Sequence, residues 1–183
     1  MRIFISGGCK NGKSALAQRL ACRQRRPGLP LYYVATMRPG DDEDRARVQR
    51  HRSDRSGLGF ETVEQPLQIG RLLQRCDPAG SFLLDSLTAL LANEQFPPGG
   101  FDPAAAGRTA AQLEELLQNL TSAVVVSDFI YSDAGQYDQW SEAYRRGLAQ
   151  LDRVCVRQCQ VVLEVCGGIV VAHKGREAYE TLV

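Results

Sequence analysis

Residues 7–14, Gly7-Gly8-Cys9-Lys10-Asn11-Gly12-Lys13-Ser14, follow the pattern G-x-x-x-x-G-K-S. Each residue type in it has a chemical task. Glycines let successive backbone N–H groups turn inward onto phosphate oxygens, and a helix that starts where the loop ends adds partial positive charge. In this pattern Lys13 reaches the β- and γ-phosphates, and the Ser14 hydroxyl is a ligand for magnesium. The loop from Gly7 to Ser14 is therefore expected to hold a nucleoside triphosphate with Mg2+ as cofactor. Cys9 lies inside it and is a candidate oxidation-sensitive thiol by position alone.

Two further places could carry chemistry. Asp85 ends the apolar run Ser81-Phe82-Leu83-Leu84, which puts a carboxylate at the C-terminal end of a strand, where open α/β sheets bind ligands. It is expected to serve magnesium beside Ser14. The competing use is to cap a helix that starts at Ser86. The second place is Arg47-Val48-Gln49-Arg50-His51-Arg52-Ser53-Asp54-Arg55. At helical spacing Arg47, His51 and Arg55 share a face. Arginines there could neutralise phosphate oxyanions while a neutral imidazole attacks phosphorus. The bland alternative is a solvent-exposed charged helix.

The elements that must position these groups alternate along the chain. Residues 2–6 are a short apolar strand ahead of the loop, and 15–21 follow it with helical spacing. Strands are expected at 31–36, 60–64, 81–85, 122–127 and 160–166, with a terminal strand at 169–172. Helices are expected at about 42–55, 67–76, 87–93, 104–120 and 141–159. Residues 128–139 read as an irregular loop, and Pro97-Pro98-Gly99-Gly100 as the clearest loop and the place for disorder or insertion. Most strands are continuously apolar, which predicts an α/β fold: a mainly parallel sheet with helices on both faces, in one nucleotide-binding domain over residues 1–183.

Bulk properties narrow the field. The chain has 183 residues, long enough for a proper core, and its 44% hydrophobic and 23% charged content is that of a globular protein. A formal net charge of +1 gives no electrostatic case for nucleic acid or a membrane surface. No apolar run approaches the roughly 20 residues of a membrane span. The first strand begins at once, so no signal peptide is expected. Six cysteines without a C-x-x-C pair and two histidines, His51 and His173, argue against zinc. Most of the cysteines are expected to be small core residues in a reducing cytoplasm.

The order and spacing of these motifs resemble one family. Its signatures are G-G-x-x-x-G-K-S, Y-x-A-T, D-x-E-M-x-x-R-I-x-x-H-x-x-x-R and L-L-[DE]-x-[LI]-T-x-x-x-x-N. The chain matches them with Gly7–Ser14, with Tyr33-Val34-Ala35-Thr36, with Asp42-Glu43, Arg47-Val48, His51, Arg52 and Arg55, and with Leu83-Leu84-Asp85-Ser86-Leu87-Thr88 and Asn93. The family is the bifunctional adenosylcobinamide kinase/adenosylcobinamide-phosphate guanylyltransferase of cobalamin biosynthesis. The resemblance extends to about residue 96.

The resemblance implies a phosphate-loop domain with a RecA-like sheet, assembled as a trimer. It also implies phosphorylation of the aminopropanol hydroxyl of adenosylcobinamide, then transfer of GMP from GTP through a covalent guanylyl-histidine. The family's histidine falls on His51, with Lys13, Arg47 and Arg55 as catalytic partners. Ala35, Thr36 and Arg52 join the loop in binding nucleotide, and a corrinoid is the expected second substrate.

Beyond residue 120 the chain departs from the family pattern. Where the family continues T-N-E-V-G-x-G-I-V-P, this chain has Ser127-Asp128-Phe129-Ile130-Tyr131-Ser132-Asp133. A strand-end glutamate, a candidate metal ligand or general base, is gone, and so are glycines that shape the loop. Asp128 and Asp133 are the candidate replacements. Of the later Y-R-D-x-x-G-x-x-N-Q motif, Tyr144 and Arg145 survive. The alternative readings are a small-molecule kinase with another acceptor and a nucleotide-binding homologue without turnover.

Overall fold

The computed structural model describes residues 1–38, 56–131 and 135–183. Seven strands form one sheet: β1 (Arg2–Gly7), β2 (Leu31–Ala35), β3 (Glu61–Glu64), β4 (Ser81–Asp85), β5 (Ser122–Val126), β6 (Val161–Cys166) and β7 (Ile169–Lys174), in the order β3-β2-β4-β5-β1-β6-β7. Every pairing is parallel except β6 with β7. The continuous apolar runs of β1, β2, β4, β5 and β6 follow from burial on both faces, since parallel strands joined through helices have no wet side.

The helices are α1 (Lys13–Arg23), α2 (Leu72–Arg75, entered through a 3-10 turn at Ile69–Arg71), α3 (Leu87–Gln95), α4 (Ala105–Asn119), α5 (Gln139–Gln158) and α6 (Arg176–Glu180). Strand side chains alternate between the two faces. Ile3 and Ile5 join Leu83, Val124 and Leu163 beneath Leu16, Ala17 and Leu20 of α1. Phe4 points the other way, with Val34, Phe82, Leu84 and Val125, into a core closed by Leu90 and Leu91 of α3, Leu113 and Leu117 of α4, and Leu148 and Leu151 of α5.

Several boundaries differ from the expected ones for local reasons. The first helix begins at Lys13, because Gly12 takes φ 87° and turns the chain directly into it. The expected helix over 67–76 is reduced to the 3-10 turn and α2: Gln68 sits at φ 53°, a left-handed break that no helix continues through. The long helix starts at Gln139 rather than Ser141, because the Asp138 carboxylate accepts from the Trp140 and Ser141 amides at 2.8 and 2.9 Å. The terminal strand runs two residues further, to Lys174, as the second arm of a hairpin turned by Gly167 and Gly168 at φ 55° and 82°.

The one-turn α6 was not expected from the sequence at all. Pro97–Gly100 closes as an ordered turn, with the Gly100 amide donating to the Pro97 carbonyl at 2.9 Å. Among the cysteines only Cys155 and Cys159 are buried; Cys22 and Cys76 are half-buried, and Cys9 and Cys166 are exposed. That corrects the expectation of mostly core cysteines: Cys166 ends β6 just before the hairpin turn, and Cys9 lies in a loop. The expected helix at 42–55 lies outside the described residues.

The junction of β1 and the loop is the tightest point of this frame. A Cβ at Gly7, which has φ 153°, would lie 2.3 Å from the Val165 carbonyl oxygen of β6. That neighbour is backbone in a paired strand and cannot swing aside. Gly7→Ala is expected to lower unfolding free energy by about 2 kcal/mol or more, through strain and lost β1–β6 pairing. Urea unfolding against wild type checks this, and an unchanged midpoint would contradict it.

Candidate functional site

Because β1, β2, β4 and β5 are parallel, the segments that leave their C-terminal ends gather along one edge of the sheet. That edge receives Gly8–Gly12 from β1, Thr36 from β2, Asp85 and Ser86 from β4, and Ser127 and Asp128 from β5. Within the loop Lys10 is left-handed at φ 58° and Gly12 at 87°, which curls the backbone before α1. The Asn11 side-chain amide nitrogen donates to the Val165 carbonyl at 3.5 Å. Cys9 and Lys10 are exposed, and Ser14 is half-buried in the first turn of α1.

Lys13 is 6% exposed, and its ammonium is held from two sides. It donates to the Gly8 carbonyl at 2.6 Å and pairs with Asp128 Oδ1 at 2.8 Å. Asp128 is placed by backbone. The Ser127 amide donates to the Ile5 carbonyl at 3.0 Å, and the Phe129 amide to the Gly7 carbonyl at 2.9 Å. The chain after β5 thus keeps running alongside β1 past the end of both strands. Between these two contacts, the Asp128 amide donates to Thr88 Oγ1 at 3.0 Å. A charge-assisted pair with one partner nearly dry is stronger than its exposed counterpart.

Asp128 was therefore the residue that sequence reasoning undervalued. Its signal was present: the apolar run Val124-Val125-Val126 ends in Ser-Asp much as Leu83-Leu84 ends in Asp-Ser. Which carboxylate faces the lysine is a matter of strand order, and β5, not β4, is the neighbour of β1.

Asp85 is engaged differently. Its Oδ2 accepts from the Tyr33 hydroxyl at 2.9 Å. The helix-capping role that competed for it falls to Ser86, whose Oγ accepts from the Ala89 amide at 3.4 Å. Thr36 is fully buried, and its hydroxyl is used in both directions: it accepts from the Ser86 amide at 2.8 Å and donates to the Ser86 carbonyl at 2.7 Å. The Asn93 side chain donates to the carbonyls of Thr36 at 2.8 Å and Pro66 at 3.1 Å. Thr36 and Asn93 thereby pin the ends of β2 and β4 together, with the half-buried Ala35 just before them.

The oxygen donors fit magnesium in kind. Ser14 offers a hydroxyl and Asp85 a carboxylate, and Mg2+ is usually held by one or two such protein groups together with substrate phosphates. Among the described residues no three His, Cys, Asp or Glu side chains cluster for a metal, so no all-protein cage is present there. The remaining expected residues, Arg47, His51, Arg52, Arg55 and Asp133, lie outside the described residues.

Behind Asp128 is a second polar layer. Asp152 of α5 is 9% exposed, and its Oδ2 accepts from the Tyr131 hydroxyl at 2.8 Å. Burial pushes its carboxyl up to about 6; the Ser127 and Tyr131 hydroxyls draw it down, and the Asp128 carboxylate pushes it further up. Burial and the neighbouring Asp152 carboxylate likewise raise the Tyr131 phenol well above its ordinary value. Tyr144 donates to the Thr88 carbonyl at 2.8 Å. Arg145 donates to the carbonyls of Ile130 and Tyr131, both at 3.2 Å, and lies 4.6 Å above the Tyr137 ring. Of these two residues kept from the family motif, Arg145 clamps the segment that carries Asp128, and Tyr144 fixes Thr88, whose hydroxyl receives the Asp128 amide.

Comparison with known proteins agrees with this geometry. The family model described as cobinamide kinase / cobinamide phosphate guanyltransferase matches residues 3–172. The bifunctional adenosylcobalamin biosynthesis protein CobP of Pseudomonas aeruginosa is 42% identical over 94 residues, 51% of this chain and 52% of that protein. The bifunctional adenosylcobalamin biosynthesis protein CobU of Escherichia coli is 32% identical over 101 residues, 55% of this chain and 53% of that protein. The chain thus spans about half the length of the curated relatives it matches.

Among solved structures, a KaiC-like protein of Pyrococcus horikoshii superposes with a TM-score of 0.51 at 13% identity, covering 96% of this chain and 79% of that one. The ATPase domain of G40P does so with 0.50 at 12%, covering 89% and 68%. At such identities the likeness is one of fold: a phosphate-loop, RecA-like sheet, as the family resemblance implies. The loop, the strand-end carboxylates and the match over residues 3–172 lead to one conclusion: this chain belongs to the cobinamide kinase / cobinamide phosphate guanyltransferase family.

Proposed function

We propose that the protein acts in cobalamin biosynthesis, phosphorylating adenosylcobinamide and then transferring GMP from GTP to the product through a guanylyl-histidine. The observation that carries the reading is Lys13, buried at the mouth of a glycine loop with its ammonium held in place by Gly8 and Asp128. An ammonium so positioned can meet phosphate charge without first being ordered, the kind of preorganisation that phosphoryl transfer depends on.

In the kinase step the acceptor hydroxyl oxygen forms a bond to the γ-phosphorus. The bond from that phosphorus to the bridging oxygen breaks, the nucleoside diphosphate leaves, and the hydroxyl proton passes to a base. Lys13 and the loop amides of Gly8–Ser14 hold the phosphates in line. Ser14 and Asp85 would hold Mg2+, which when bound neutralises charge on the phosphate oxygens. In the second step His51 attacks the α-phosphorus of GTP and pyrophosphate departs. A phosphate oxygen of adenosylcobinamide phosphate then displaces His51. Arg47, Arg52 or Arg55 offsets the negative charge that develops on the phosphate oxygens.

The Lys13–Asp128 pair also favours a second reading, a nucleotide-binding homologue without turnover, since the lysine's charge is already balanced within the protein. Incubation with α-labelled GTP separates the two. The transferase reading expects acid-labile, alkali-stable protein label that disappears in His51→Ala. GTP binding with neither label nor phosphate release supports the non-catalytic homologue, and label that survives His51→Ala removes His51 as nucleophile. Lys13→Ala is expected to weaken GTP binding by roughly two orders of magnitude, about 3 kcal/mol, by equilibrium titration.

A further inference from the structure

We propose that Asp152 is a positioning residue for the phosphate loop: with Tyr131 and Ser127 it sets the segment that holds Asp128 against Lys13, and it gains a proton when a phosphate takes up the lysine's charge. This rests on nucleotide binding at Gly7–Ser14.

The geometry leaves Asp152 half satisfied. Tyr131 donates to Oδ2, while Oδ1 is buried facing the Ser127 hydroxyl, near enough for that hydroxyl to favour the charged carboxylate but without a well-formed hydrogen bond between them. A hydroxyl can donate to an ionised carboxylate or accept from a protonated one, so Ser127 can serve either state. Native proteins seldom leave buried polar atoms poorly paired, so this loosely matched pair calls for an explanation. Ser127 is one residue from Asp128, and its own amide is fixed to Ile5 of β1. What happens at Asp152 is therefore transmitted over a single peptide to the Lys13 partner.

The charges around Asp152 give the sign. The segment after β5 contributes the Asp128 carboxylate, the Tyr131 phenol and the Ser127 hydroxyl, and its own helix contributes Arg153, Tyr144 and Cys155. The apolar Leu91, Leu113 and Leu117 of α3 and α4 share this core. With the site empty, Lys13 balances Asp128. A bound triphosphate shares Lys13 and adds negative charge, so the field at Asp152 becomes more negative and protonation is favoured. Since burial already lifts this carboxyl to about 6, the change falls near neutral pH. A proton moves from solvent onto the Asp152 carboxylate as the nucleotide binds.

Two measurements test this. In the nucleotide-free protein, carbon-13 NMR of the aspartate carboxyls is expected to show the Asp152 midpoint falling in Asp128→Asn, which removes the repelling charge. It is expected to rise in Tyr131→Phe, which removes a donor to the ionised form. In the second, calorimetric titration with GTP and Mg2+ at pH 6.5 in buffers of different ionisation heat counts protons taken up. Wild type is expected to take up about half a proton more than Asp152→Asn, whose difference cancels the nucleotide's own titration. GTP affinity should weaken roughly three- to tenfold more in wild type than in the variant between pH 5 and pH 8. A midpoint that ignores Asp128→Asn, or equal proton uptake, overturns the proposal. Failure of the wild type to bind GTP overturns the nucleotide site instead, and the NMR arm still decides the role of Asp152.

Discussion

β1 is paired on both edges, to β5 through Arg2–Ile5 and to β6 through Ile3–Gly7, and the site depends on that double pairing. A strand held from both sides cannot shift its end, so the loop that leaves it starts from a fixed point and direction. β6 presses so closely that only a residue without a Cβ fits at Gly7. β5 continues past its last paired residue to return amides to Ile5 and Gly7, and in doing so delivers Asp128. The loop is thus gripped between its two neighbouring strands, and its lysine is answered by a carboxylate from one of them.

The polar groups form a sequence of layers from the surface inward. Lys13 and Asp128 stand at the edge of the sheet, Thr88 and Ser127 fix the backbone between them, and Tyr131, Tyr144 and Asp152 lie behind. Burying so many polar groups would be costly if they were not mutually bonded. Most are: Tyr131 to Asp152, Tyr144 to Thr88, Thr88 to Asp128. On the other flank, Thr36, Ser86, Asn93 and the Tyr33–Asp85 pair lock the ends of β2 and β4. The chain departs from its family's sequence motif within the first group and keeps it within the second. Within the stretch that departs from the motif, the carboxylate of Asp128 pairs with Lys13.

Much of this was legible in the amino-acid order. The G-x-x-x-x-G-K-S pattern ahead of helical spacing located the loop, and continuous apolar runs located the buried strands. Less legible were features set by single dihedral angles or side-chain caps. Gln68 breaks a helix that the leucine spacing favours, and Asp138 starts one two residues before the amphipathic pattern begins. The weakly apolar α6 carries no periodic signal in its five residues. The Asp85 ambiguity was physical as well: a strand-end aspartate before a helix can cap it or face a ligand, and only the observation that Ser86 does the capping separates these uses.

By itself the sequence determined the local chemistry: which residues can turn a loop around phosphate, which runs must be buried, and which motif order marks the family. These depend on residue type and spacing, which are properties of the chain. It could not determine which strand end lies beside which. The order β5-β1-β6 is a choice among topologies with the same local elements, made by how the helices cover both faces of the sheet. That choice brought Asp128 to Lys13, placed Asp152 behind it where burial lifts its carboxyl above the usual carboxylate range, and left Asp85 with Tyr33. Side chains more than a hundred residues apart meet there only because the sheet is assembled in that order.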